Sequence, residues 1–153
     1  MRRKVIGQFT IDMKLPSLNE VIEANRNNKY TGSRMKKKIE TDIGSYITIA
    51  KCLGTLYPVG EEPIVIFIEW HEGNKRRDAD NIESAQKFIL DALQKYGILV
   101  KDSRKYVKQV YHKIFDDSDH HYSIVRLCEV TEDDLDDNWN HKLSDASAVT
   151  LSA

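Results

Sequence analysis

Residues 64–70 read Ile64-Val65-Ile66-Phe67-Ile68-Glu69-Trp70, a nearly continuous apolar run that is rich in β-branched side chains. A run of this length and composition is typical of a strand that is buried on both faces. Such a strand lies in the middle of a sheet that other layers cover. The sequence therefore predicts a domain built around a central strand at these residues.

Before this strand, the chain is predicted to form one strand and two helices. Residues 5–14 alternate apolar and polar side chains, which is the period of a half-buried strand. Ser17 opens a capping-box pattern for a short helix through Ile22, and residues 25–32 are predicted to be a polar loop. A longer helix follows from Ser33, where apolar residues recur at helical spacing; they are Met35, Ile39, Ile43, Tyr46, Ile47 and Ala50.

After the central strand, a further helix and two strands are predicted. Asp80 or Asn81 caps the helix, and Gly97 ends it. Residues 106–115 and 122–129 are predicted to be strands, and the short polar loop between them favours a hairpin. The order strand, helix, strand, helix, hairpin predicts an α/β fold in which helices cover one sheet.

Charge is distributed unevenly along the chain. Residues 131–153 contain six acidic residues and one lysine, so residues 1–130 hold 22 basic and 18 acidic groups, a net charge of +4. The last segment also lacks apolar periodicity, and we expect it to be a disordered acidic tail after a single domain over residues 1–130. A charge of +4 is too small by itself to establish nucleic-acid binding.

Several classes of protein are excluded by the composition. Cys52 and Cys128 are far apart and have no metal-ligand spacing, which argues against a disulfide framework or a zinc site. The chain shows no secretion signal and no apolar stretch near the ~20 residues that span a bilayer. We therefore expect a soluble cytoplasmic protein. The glycines form no phosphate-binding motif, so no nucleotide cofactor is expected.

A charged segment follows the central strand and reads Lys75-Arg76-Arg77-Asp78-Ala79-Asp80-Asn81. It combines carboxylates, which hold hard divalent metal ions, with cations that attract a phosphate backbone. Asp78 and Asp80 project to the same side of an extended chain, so one metal ion can contact both. This is the combination that phosphodiester cleavage needs.

Three motifs in this region read Arg76-Arg77-Asp78-x-Asp80-Asn81-Ile82, Lys87-Phe88-Ile89-Leu90-Asp91-Ala92-Leu93 and Gly97-Ile98-Leu99-Val100-Lys101-Asp102. Together they resemble the core of RusA-like Holliday junction resolvases, which are small phage and prophage endonucleases. The segment Leu15-Pro16-Ser17-Leu18-Asn19 is similar to the N-terminal Pro-Ser-x-Asn segment of that family. The resemblance is close over residues 76–105 and ends near Val130.

The resemblance implies a β-α-β-α-β-β order with a mixed sheet and helices packed on it. It also implies that Asp78, Asp80 and Asp102 are catalytic residues that bind Mg²⁺, with Mn²⁺ as a substitute. Lys87 takes the place of a catalytic helix lysine, and a shift of three residues puts Ser84 there instead.

The activity that this implies is Mg²⁺-dependent cleavage of branched DNA, above all four-way junctions, in recombination and repair. Two symmetric cuts need two sites related by a two-fold axis, so we expect a homodimer, with the N-terminal strand at an open sheet edge as the candidate interface. Basic clusters and one amide are expected to contact DNA phosphates; they are Lys36, Lys37, Lys38, Lys75, Arg76, Arg77 and Asn19.

Two other functions fit the same residues. In a non-catalytic module that binds branched or single-stranded DNA, the aspartates are helix caps, each worth ~1 kcal/mol, and salt-bridge partners. Alternatively, the acidic tail binds another protein. Metal-dependent cleavage distinguishes the enzyme from the first alternative, and deletion of the tail tests the second. His120 and His121 are adjacent and point in opposite directions on a strand, so no metal site is expected there.

Overall fold

The computed structural model describes residues 3–116 and 118–135, with the backbone alone for Leu135. In chain order the elements are β1 (Val5–Ile11), α1 (Leu18–Asn27), α2 (Lys29–Leu53), β2 (Ile64–His71), α3 (Ala79–Glu83), α4 (Gln86–Lys95), β3 (Val107–Phe115), β4 (Tyr122–Glu129) and α5 (Glu132–Leu135). The predicted α/β class is confirmed, with one mixed sheet. None of the described helices is long and apolar enough to cross a membrane.

Strand β2 lies inside the sheet, as its apolar sequence predicts. The strand order is β1-β4-β2-β3, and β2 is antiparallel to β4 and parallel to β3. Alternate side chains of a strand share a face. The face of β2 in the main core is fully buried and consists of Ile64, Ile66, Ile68 and Trp70. Residues of α2 and α4 complete this core, among them Ile43, Ile47, Ile89 and Leu93.

In the part of the chain that the structure describes, aromatic rings shield the opposite face of the sheet. Phe67 stacks on Tyr111 with ring centroids 4.7 Å apart. The His71 ring lies between Phe115, at 4.6 Å, and Tyr122, at 4.3 Å. All five side chains are half-buried. The prediction that β2 is buried on both faces is therefore wrong for its C-terminal half.

The predicted hairpin between residues 106–115 and 122–129 is wrong. Strands β3 and β4 flank β2 on opposite sides instead of pairing with each other. β2 carries the longest apolar run, and the central position satisfies the backbone groups on both of its edges. The loop at residues 116–121 spans the gap readily, because adjacent strands are about 4.8 Å apart and the crossing is therefore about 10 Å.

Residues 25–32 are helical rather than a polar loop. Only Asn28 separates α1 from α2, and its side-chain oxygen accepts a hydrogen bond from the Tyr30 amide at 2.9 Å. The two helices approach closely at Gly32, where a Cβ atom would lie 2.6 Å from the Cβ atom of Asn25. The polar composition suggested a loop, but an asparagine cap and a glycine contact allow a tight helix pair here.

The single helix predicted after the aspartates is two helices. A 3₁₀-type turn lies between them, in which the Ala85 amide donates to the Ile82 carbonyl, three residues earlier, at 3.2 Å. The N-cap of α3 is Asp78, not Asp80 or Asn81 as predicted. The first helix therefore starts earlier than the apolar pattern indicated.

Gly97 follows the last turn of α4, as predicted. It has φ 80°, and the Ile98 amide beyond it donates to the Leu93 carbonyl at 2.9 Å. This is the bonding pattern of a helix end that requires a left-handed residue, which glycine adopts without strain.

Strand β1 is at an edge of the sheet, where the candidate dimer interface was placed. The edge is not entirely open, because the Gln8 amide donates to the Thr55 carbonyl at 2.9 Å. The turn after α2 thus covers the middle of β1. A second chain has fewer free backbone groups to pair with there than on an uncovered strand.

The predicted acidic tail begins with a contact to the sheet. The Asp134 carboxylate accepts hydrogen bonds from the Arg3 guanidinium, from the Tyr111 hydroxyl at 2.6 Å and from the Thr131 amide at 2.8 Å. Its side chain has 0% exposure. The described start of this segment is therefore attached to the sheet, and residues 136–153 lie outside the described residues.

This contact predicts different stabilities for two truncated chains. A chain that ends at residue 130 lacks Asp134, whereas one that ends at residue 135 keeps it. We expect the shorter chain to lose about 1.5–3 kcal/mol relative to the longer one, because Arg3 loses its charged partner. Calorimetric melting at pH 7 measures the difference. Equal melting temperatures would show that the contact adds no stability.

Asp134 also predicts a pH effect. Burial alone raises the pKa of its carboxyl, but the bonds from Arg3, Thr131 and Tyr111 outweigh burial and hold the pKa well below its usual range. A carboxyl whose pKa is lowered by folding stabilises the fold at every pH above its unfolded-state pKa of about 3.9. This stabilisation is lost as the pH falls from that value towards the folded-state pKa. The stability gap between the parent and Asp134→Asn should therefore be largest at pH 7 and shrink towards pH 3 in urea titrations; a constant gap contradicts this.

Candidate active site

Two connections that are distant in sequence meet beyond the end of β2. One leads from β1 into α1, where Asn19 lies, and the other leads from β2 into α3, where Asn81 lies. The Asn19 amide Nδ2 donates to Asn81 Oδ1 at 3.2 Å, across 62 residues of sequence. Both residues belong to motifs that were singled out in the sequence. The fold therefore brings the two motif regions into contact.

A cavity of about 490 Å³ lies beside this contact. Its lining is polar and of mixed charge, and it includes Ser17, Asn19, Glu20, Arg76, Arg77 and Asn81. Of the two arginines, the exposed Arg76 suits an anionic group such as a phosphate, although the carboxylates of Glu20 and Glu23 share the lining. Three of the predicted DNA-contacting residues thus share one cavity.

Ser84 holds the two connections together. Its hydroxyl accepts from the Leu18 amide at 3.0 Å and donates to the Asn81 carbonyl at 2.7 Å. The Lys87 side chain is 55% exposed, with its Nζ 3.7 Å from the Asp91 carboxylate. Of the two candidates for the position of the family lysine, Ser84 has a structural role and Lys87 presents an exposed charge.

A buried ion pair fixes the start of the β2–α3 connection. Arg77 Nε donates to Glu72 Oε1 at 2.9 Å, and Nη2 donates to Glu72 Oε2 at 3.0 Å. Arg77 Nη1 also donates to the Leu15 carbonyl at 2.7 Å. His121 Nδ1 lies 3.1 Å from Glu72 Oε2. Burial raises the pKa of the Glu72 carboxyl, but the hydrogen bonds from Arg77 and His121 outweigh burial and leave the pKa below its ordinary value.

Asp78 and Asp80 are both exposed at the start of α3. Asp78 occupies the N-cap position, but its side chain makes no capping hydrogen bond. The capping alternative requires such a bond to an amide of the first turn. The structure therefore does not explain either aspartate as a helix cap.

Asp102 is also exposed, but it lies elsewhere. It precedes the start of β3, whereas Asp78 and Asp80 follow the end of β2. Because β2 and β3 are parallel and paired along their length, these are opposite ends of the strand pair. Within residues 3–116 and 118–135, no three His, Cys, Asp or Glu side chains form a group that could hold a metal ion. The three carboxylates are thus not assembled in one site.

The remaining predicted cations are exposed. Lys75 and Arg76 lie in the β2–α3 connection, and Lys36, Lys37 and Lys38 lie on α2. Lys38 Nζ contacts Asp42 at 2.9 Å, one turn further along the helix. These side chains are accessible to a polyanion. They differ in this respect from Arg77, whose side chain is only 11% exposed.

Sequence reasoning missed Glu72 and His121. The position of Glu72 was the one available signal, because it lies between the central strand and the basic segment. An acid buried at the end of a strand needs a positively charged partner, and the arginines that follow could supply one. His121 gave no signal of its own. The two adjacent histidines do diverge, since His120 Nε2 lies 2.8 Å from Asp12 and His121 contacts Glu72.

Neither the family models nor the curated proteins with which the chain was compared gave a match. The resemblance to RusA-like resolvases stays a prediction from the motif residues.

Ser84 and Lys87 should differ in their effect on stability. Ser84→Ala leaves the Leu18 amide and the Asn81 carbonyl without this partner, and we expect a loss of about 1–3 kcal/mol. Lys87→Ala, at an exposed site, should change stability by less than about 0.5 kcal/mol. Urea unfolding of both variants at pH 7 measures the contrast. Equal losses would mean that Ser84 does not link the two connections.

Proposed function

We propose that this protein is a Mg²⁺-dependent endodeoxyribonuclease of the RusA-like type that cuts branched DNA, with the four-way junction as its main substrate. The observation that carries the proposal is the contact between Asn19 and Asn81. It joins the Pro-Ser-x-Asn segment to the Asp-x-Asp-Asn motif, in which both aspartates are exposed and the asparagine lines a cavity together with Arg76. Hard oxygen donors beside cations are what metal-assisted cleavage of a phosphodiester requires.

The donors at this site suit a hard divalent ion. Mg²⁺ is commonly held by one or two carboxylates together with waters and substrate phosphates, rather than by a complete cage of protein ligands. Asp78 and Asp80 would hold it here. Bound Mg²⁺ would neutralise the charge that develops on the scissile phosphate. Asp102, at the other end of the β2–β3 pair, does not fit the same site within one chain.

The side chains around the aspartates would position the substrate. Arg76 and Lys75 are exposed next to Asp78 and would bind the phosphates beside the scissile one. Such contacts fix the register of the DNA without reading its sequence. Asn19 holds the side chain of Asn81, which steadies the first turn of α3. Lys87, one turn from Asp91, would add a positive charge near the reacting phosphate.

Symmetric resolution of a junction requires two such sites. We propose that a homodimer supplies them, because two equivalent cuts need a two-fold axis. The edge strand β1 is one candidate surface, with its middle covered by Thr55.

A second candidate function is a non-catalytic module that binds branched or single-stranded DNA. One observation favours it, namely that no group of three metal-binding side chains forms in the described residues. In this alternative, the exposed lysines and Arg76 bind phosphates, and the exposed aspartates have no metal to hold.

Asp80→Asn tests the proposal. The amide keeps the shape of the side chain but loses the charge that a hard cation requires. We expect cleavage of a synthetic four-way junction in Mg²⁺ to fall below a few per cent of the parent rate, at about the sensitivity of a gel assay, while junction binding in Ca²⁺ is retained or rises. Glu61→Gln, an exposed carboxylate before β2, is the matched control and should cut normally.

Three results carry distinct meanings. Cleavage by Asp80→Asn at the parent rate removes this residue from the site. A parent protein that binds junctions and never cuts them supports the binding module. Asp102→Asn tests whether Asp102 joins the site in the DNA complex. If it does, this variant should lose cleavage as Asp80→Asn does; if the site has two carboxylates only, cleavage should be retained.

A further inference from the structure

Adjacent arginines in the β2–α3 connection have opposite environments. Arg76 is exposed. Arg77 is 11% exposed, and its partner Glu72 is 4% exposed. Three of the Arg77 nitrogen atoms donate hydrogen bonds, two to Glu72 and one to the Leu15 carbonyl. A guanidinium whose donors are used in this way has little capacity left for a phosphate.

The Arg77 contacts join three parts of the chain. Glu72 is at the end of β2, and Leu15 is in the connection that leads to Asn19. His121, which directly precedes β4, lies with its Nδ1 3.1 Å from the same Glu72 carboxylate and 3.4 Å from the Gly73 amide nitrogen. Asp78 follows Arg77 directly in the chain. The ion pair therefore determines where the Asp78–Asn81 segment begins and how it faces Asn19.

We infer that Glu72 and Arg77 are positioning residues, which hold the Asp78–Asn81 segment against the Asn19 segment, and that Arg77 does not bind DNA. This inference rests on the proposed function for its link to metal binding. It reassigns Arg77 from the phosphate-contacting set and leaves Arg76 and the exposed lysines in that set.

The ion pair lies just beyond the last register pair of β2, where the Glu72 amide donates to the Phe115 carbonyl at 2.7 Å. Loss of the ion pair should therefore loosen the β2–α3 connection before it affects the rest of the fold. Lysine cannot replace Arg77, because an ammonium group cannot donate a planar pair of bonds to the carboxylate and reach the Leu15 carbonyl as well.

Three variants test the inference. Glu72→Gln and Arg77→Lys are the conservative disruptions, and Arg76→Ala is the matched control. Mn²⁺ binding to the protein alone is measured by electron paramagnetic resonance, junction binding is measured at four salt concentrations, and cleavage is measured as kcat and KM. Circular dichroism confirms that each variant is folded at the assay temperature.

We expect the two disruptions to weaken Mn²⁺ binding by about 10- to 100-fold, as happens when groups that support metal ligands are removed. Their kcat should fall while KM and the salt slope stay near the parent values. Arg76→Ala should do the reverse: Mn²⁺ binding is unchanged, and the salt slope falls by ~0.9 for each duplex phosphate that the protein no longer neutralises. If Arg77→Lys or Glu72→Gln lowers the salt slope as Arg76→Ala does and leaves Mn²⁺ binding intact, the inference is wrong.

Hydrogen exchange separates this inference from the proposed function. If the parent neither binds Mn²⁺ nor cuts junctions, the proposed function fails. The positioning role is then judged by exchange at residues 73–83 and 17–20, which should accelerate in Arg77→Lys while β4 stays protected. Unchanged exchange in these segments overturns the inference.

If Glu72→Gln and Arg77→Lys both unfold, a measurement on the parent protein still tests whether Arg77 contacts DNA. Phenylglyoxal modifies accessible arginines, and mass spectrometry locates the products. We expect rapid modification of Arg76, which junction DNA suppresses, and slow modification of Arg77 with or without DNA. Rapid modification of Arg77 that DNA suppresses would show that it contacts the substrate instead.

Discussion

The central position of β2 is the constraint on which the rest of the molecule depends. Its edges are hydrogen-bonded to β4 and β3, so the chain must leave β2 and return through α3 and α4 before β3 can pair in parallel. A parallel connection needs such a crossover, and its helices supply the cover for one face of the sheet. The crossover begins with the charged segment. This charged segment is consequently held at one end of the most buried strand.

At that end, the fold buries one charge pair and exposes two other carboxylates. Glu72 and Arg77 satisfy each other with a two-bond contact, and His121 and the Leu15 carbonyl satisfy their remaining groups. An isolated buried charge would be costly, so such a pair persists only with good geometry. Asp78 and Asp80, a few residues on, are exposed and accessible to a cation.

This division has a consequence for function. The proposed nuclease activity requires a site that a phosphate and a metal ion can reach, and it also requires ligands that are held in place. Here the accessible groups are attached to a short helix whose start is restrained by a buried contact and whose first turn is linked to Asn19 and Ser84. The same surface could bind DNA without cutting it. Metal binding by the aspartates, rather than the shape of the fold, distinguishes the two proposed functions.

The sequence by itself determined the class of fold, the internal strand and the end of α4 at Gly97, because these depend on local periodicity and turn chemistry. Only the tertiary structure decided that β2 separates β3 from β4, that Asp102 forms no metal-binding group with Asp78 and Asp80 in the described residues, and that Arg77 is largely buried while Arg76 is exposed. Strand pairing and side-chain burial are set by contacts between distant residues. Two neighbouring arginines look the same in a sequence, and only a buried partner such as Glu72 makes them different.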